Sequence, residues 1–159
     1  MGVLYDYFRA ADGATVAKLM EATDGGPLLR DGHDPAADVV DAKGMDPTVI
    51  LGKLVSLALG APWTANLVED ELVWPPDAGE DEEYEGPWVV VLGNRARDAL
   101  DEIADDRLPE LATTWSRIEE MSTYGDVGPD TMLPVLTALV GLARRARRAD
   151  DRLYCWICL

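Results

Sequence analysis

The chain has 159 residues with 30 acidic against 14 basic side chains and one histidine, a net charge of −16, and 48% hydrophobic content. Such a length and apolar share fit one folded domain with its own core rather than a disordered chain. The charge excludes nucleic acid and anionic lipid surfaces as partners, because both are bound through Lys and Arg.

In chain order, residues 3–8 are aromatic and β-prone and predict a strand. Asp12 is placed to cap a helix running to about Ala22, with Val16, Leu19 and Met20 on its buried side. Gly25, Gly26 and Pro27 stop that helix. A phosphate-cradling role is excluded for these glycines, since they follow a helix rather than lead into one. Residues 28–43 are polar and hold His33, with Asp31 and Asp34 beside it.

Asp46 and Pro47 have the chemistry of an N-cap and first helical position. The helix they open, to Leu59, is apolar on nearly every side and is therefore expected to be buried. Residues 61–87 are irregular, with Trp63, a short strand near residues 72–74, and then Pro75 and Pro76. Residues 77–85 carry six carboxylates in nine positions, and residues 76–86 are expected to form a flexible acidic loop. This run lacks the ligand alternation and turn glycine of an EF-hand, so no metal is expected there. Residues 88–92 are β-branched and aromatic and predict a second strand. Asn94 is a candidate cap for a helix to about Ile103, and residues 108–121 predict another.

From Asp130 the chain repeats apolar residues at three-four spacing (Met132, Val135, Leu136, Leu139, Val140, Ala143, Ala146), which predicts a long amphipathic helix. Arg144, Arg145, Arg147 and Arg148 fall in its last turns, where they oppose the negative end of the helix dipole. Residues 153–159 are apolar at alternate positions and at those between, as expected of a strand interior to a sheet. The predicted fold is a helix-rich α+β (or α/β) single domain over residues 1–159, with a small sheet of N-terminal, middle and C-terminal strands.

The order of these features is similar to the YfbM-like family of small bacterial proteins of unknown function. The likeness is carried by the aromatic opening strand (Tyr5, Tyr7, Phe8), the turn at Asp24, Gly25, Gly26 and Pro27, the apolar helix 49–60, the segment Gly86, Pro87 and Trp88, the helix start at Leu108 and Pro109, and the long helix with its closing strand. It implies a compact α/β or α+β domain and supplies no catalytic residues.

Candidate chemistry is sparse. Cys155 and Cys158 have redox-pair spacing, but no helix follows to lower a thiol pKa. In an extended strand, residues three apart point to opposite faces. Zinc would need two further ligands, so buried inert thiols are expected and no cofactor. His33 is a candidate acid or base, oriented by Asp31 or Asp34. An enzyme or redox protein working on a small molecule through Cys155 and Cys158, or through His33, is the alternative function.

Five tryptophans against one phenylalanine point instead to a contact surface. Trp63, Trp74, Tyr84 and Trp88 flank the irregular region and are the candidate binding residues, with His33 as a further one. The leading expectation is a non-catalytic, cytoplasmic binding or interaction domain, a monomer or weak homodimer; its acidic surface serves solubility, and a basic protein partner, in the manner of an immunity protein, is the more specific form of the reading. No segment is long and apolar enough to predict a membrane span, and no leader is visible.

Overall fold

The computed structural model describes residues 2–125 and 127–159. Its organising unit is a five-stranded sheet of order β2-β1-β5-β4-β3, formed by β1 (Leu4–Ala10), β2 (Val39–Asp41), β3 (Glu71–Trp74), β4 (Trp88–Val91) and β5 (Arg152–Cys158). Every neighbouring pair is antiparallel, so the fold is α+β rather than α/β. β5 is the middle strand. It pairs with β1 from Leu4–Cys158 to Ala10–Arg152, and with β4 from Trp88–Ile157 to Val91–Tyr154.

Both faces of β5 are covered, which is why its sequence has no polar alternation. Leu153 and Cys155 point into a large core built with α2 (Gly52–Leu59), α3 (Asn94–Asp101), α4 (Leu108–Ser116) and α5 (Pro129–Arg148). Tyr154 and Trp156 point the other way, into a smaller core with Phe8, Val89, Leu28 and the buried side of α1 (Gly13–Ala22). The period-two geometry of a strand thus sends Cys155 and Cys158 to opposite layers, and both are free thiols.

α1 begins as its sequence dictates, with the Asp12 carboxylate accepting from the Thr15 amide. Asp46 also caps, accepting from both the Val49 and Ile50 amides, but the turn it opens (Pro47–Leu51) is π-helical before α2 takes over. Asn94 does not cap α3; Gly93 occupies that position without a side-chain bond, and Asn94 is the first helical residue.

The helix expected over residues 108–121 ends at Ser116, Ile118 is extended, and a 3-10 turn covers Glu119–Tyr124. The Thr113, Thr114 and Ser116 hydroxyls bond back to the Pro109, Glu110 and Thr113 carbonyls, the local competition that weakens a helix end. β2 lies inside a segment read as polar loop; its three residues owe their strand form to pairing with Asp6, Tyr7 and Phe8.

The arginines near the end of α5 do more than oppose its dipole. Arg144 bonds Asp105 and the Ile103 carbonyl, Arg145 grips Asp38, and Arg147 reaches Asp101 and Glu102. Asp38 also binds Arg9, which in turn binds Asp151, so the start of β2 is tied to β1 and α5. Among the described residues no helix is long and apolar enough to cross a membrane.

Candidate functional site

β3 and β4 form a hairpin whose connection carries the acidic run. β3 is an edge strand whose register with β4 shifts at a bulge between Leu72 and Trp74. The connection is a series of turns: Ala78 donates its amide to the Pro75 carbonyl (3.2 Å), Glu80 to Asp77 (2.9 Å) and Tyr84 to Asp81 (3.2 Å). Asp81 also accepts from the Glu83 amide through Oδ1 at 3.0 Å.

Tyr84 is the anchor of this connection. Its hydroxyl donates to the Pro87 carbonyl at 2.8 Å, and its ring meets Trp88 edge-on, with centroids 5.8 Å apart at 86°. Burial, then the Asp77 carboxylate and Cys158, push its phenol pKa above the ordinary value.

Trp74 is held from behind by the turn that ends α1. A Cβ placed on Gly25 would sit 3.6 Å from Trp74 Cη2 and 3.5 Å from Pro87 Cγ, so that turn packs against both. Gly25 has φ +82° and Gly26 φ +92°, a region open to glycine at little cost. The turn is itself fixed by Trp156 of β5, whose indole N–H donates to the Gly25 carbonyl at 2.8 Å.

Between these groups lies a depression of about 320 Å³ lined by Trp74, Pro75, Asp77, Ala78, Asp81 and Tyr84. Two aromatic rings and a proline give it flat apolar walls, and two carboxylates stand among them. Among the described residues neither Asp77 nor Asp81 pairs with a cation. A surface of this kind is suited to a cation with an apolar stem.

Of the residues singled out from the sequence, the fold brings Trp74, Tyr84 and Trp88 together. Trp63 does not join them. It lies against the π-helical turn, donating to the Thr48 carbonyl at 3.0 Å, with Lys53 Nζ 5.7 Å from its ring centroid and Gly52 giving its indole room. His33 is exposed in a separate polar hollow of about 190 Å³ with Thr23, Pro27, Arg30 and Asp34. It makes no side-chain hydrogen bond to Asp31 or Asp34 among the described residues. Cys155 is fully buried, and burial pushes its thiol pKa well up.

Two features carried no sequence signal. Asp77 and Asp81 were indistinguishable from the other carboxylates of the acidic run, although the flanking Trp-Pro and Gly-Pro pairs mark where the loop is pinned. A second depression, of about 260 Å³, is lined by Asp46, Val49, Ile50, Glu120, Thr123 and Tyr124. Glu120 there pairs with Lys53 through one oxygen, while the other oxygen is buried without a partner among the described residues. That ion pair, with Lys53 also over Trp63, is the first cause that draws the Glu120 carboxyl below its usual range. These residues are distant in sequence and meet only through tertiary packing. No family model, curated protein or solved structure matches the chain.

Proposed function

We propose that this protein is a non-catalytic interaction domain that docks a basic protein segment on the β3–β4 hairpin. The observation that carries the reading is the depression among Trp74, Pro75 and Tyr84, set inside the acidic run, with Asp77 and Asp81 in no ion pair among the described residues.

The charge distribution supports it. Arg9, Lys53, Arg97, Arg144, Arg145 and Arg147 each pair with a carboxylate of the same chain, whereas among the described residues no cation forms an ion pair with the six carboxylates of residues 77–85. Their field would speed and orient a basic partner, and the aromatic walls would provide the desolvated contact that holds it. An immunity-type role, masking a basic effector, fits this chemistry. Kinship with the YfbM-like family is proposed on the pattern of apolar residues and turns alone.

The test is calorimetric titration with a short cationic peptide at two salt concentrations. Binding that weakens steeply with salt, and is lost in a Trp74→Ala/Tyr84→Ala double variant that still folds, is the expected result. Equal binding by the double variant would move the site elsewhere on the acidic surface, and no binding at low salt would end the proposal.

A further inference from the structure

We infer that the Trp74–Tyr84 depression is a socket for one arginine side chain of the basic partner, an inference that rests on the docking reading above. The geometry favours a guanidinium over other occupants for three reasons.

The first is shape. Trp74, Tyr84 and Pro75 present flat surfaces, on which a planar guanidinium stacks and its three-carbon stem packs. The second is the placement of charge. Asp77 and Asp81 lie on successive turns of one loop and both line the cavity, so two acidic residues border one hollow. A guanidinium has five N–H donors in a fixed fork and can serve both at once; an ammonium is a point charge and keeps its water more firmly. The same carboxylates exclude a phosphate or a carboxylate ligand.

The third reason is order before binding. The Tyr84 hydroxyl is held by the Pro87 carbonyl, and its ring is braced by Trp88. Trp74 leans on Gly25, which Trp156 holds. Asp81 is held at Oδ1 by the Glu83 amide with Oδ2 to spare. Little side-chain freedom remains to be lost when the socket fills, which raises affinity without added contacts.

The experiment uses the full chain and two peptides of equal length and charge, one with arginines and one with lysines only. Binding is followed through the Trp74 indole N–H signal in two-dimensional NMR, assigned by its loss in Trp74→Phe. The arginine peptide is expected to bind about tenfold tighter and to shift the Trp74 signal. Asp77→Asn and Asp81→Asn are each expected to shrink that preference, while Glu82→Gln, outside the cavity lining, leaves it in place. Equal affinity for the two peptides would overturn the socket while leaving a basic partner intact. Failure of both peptides to bind at low salt would overturn the docking reading and the socket with it.

Discussion

Trp156 and Gly25 lie 131 positions apart, yet the indole N–H of one donates to the carbonyl of the other at 2.8 Å. Through this bond the middle strand of the sheet fixes the turn after α1, and that turn in turn backs Trp74 and Pro87. The next residue, Gly26, leaves no room for a side chain: a Cβ there would lie 2.6 Å from Trp156 Nε1.

Gly26→Ala combines that collision with a left-handed φ and is expected to cost roughly 2–4 kcal/mol in urea unfolding. Gly25→Ala meets neighbours only at 3.5 Å and 3.6 Å and is expected to cost about 1 kcal/mol, from backbone conformation alone. Equal costs at the two positions would show that the indole does not set the packing of this turn. Gly26→Ala should also move the Trp74 indole signal, because the brace behind that ring is displaced.

The two thiols should differ sharply in reactivity. Cys155 is enclosed in the larger core and its pKa is raised, whereas Cys158 is partly open on the opposite layer. A thiol reagent added to native protein is expected to label Cys158 alone, with Cys155 reacting only after denaturation. Mass spectrometry of digested samples reads this directly, and rapid native labelling of Cys155 would contradict the burial of β5.

Asp6 makes stability depend on pH. It sits between Asp41 and Trp156 across the sheet, and burial, followed by the Asp41 charge, raises its pKa from 3.8 to about 6. A folded-state pKa above the unfolded one favours folding below about pH 4, and this contribution is lost as pH rises through 6. Asp6→Asn is therefore expected to stabilise the protein at pH 8, by about 2 kcal/mol, and to give no advantage at pH 4. Unfolding curves of both proteins across that range check the sign; a stabilisation that grows toward low pH would refute it.

The ion pairs of α5 and the buried side of α4 should differ in weight. Arg145→Ala removes one ion pair from Asp38, which Arg9 still holds, at an expected cost of under about 1 kcal/mol, less in high salt. Trp115→Ala empties a fully buried site and leaves the Ile50 carbonyl without the 2.9 Å indole bond, at an expected cost of about 3–5 kcal/mol. Denaturation midpoints at two salt concentrations separate the two.

The interior place of β5 was legible because a strand apolar at every position has no face to give to water. The separation of Cys155 from Cys158 followed from strand periodicity alone, and Asp12 and Asp46 announced helix starts by local chemistry. What was illegible depends on partners remote in sequence. β2 is a strand because Asp6, Tyr7 and Phe8 offer it pairing, while Arg144 and Arg147 find acids from α3 and the segment after it and Arg145 finds Asp38, just ahead of β2. The π-helical form of Pro47–Leu51 had no sequence signal that we can identify. In the site, Trp74, Tyr84 and Trp88 shared a hairpin and so could be grouped from sequence, whereas Trp63 belongs to the surroundings of α2 and His33 to a different hollow.

The sheet order has a consequence for how the polypeptide acquires its form. β1 and β4 are each paired to β5 and not to one another, so without that strand the pairs β2–β1 and β3–β4 have no sheet bond joining them and each would keep an unsatisfied hydrogen-bonding border. A ribosome delivers β5 after all the other strands, and its insertion must zip two borders at once against partners as remote as Leu4. Such late, long-range closure places refolding toward the slow end for a domain of this size, and the open borders of the incomplete sheet are where self-association during synthesis would begin.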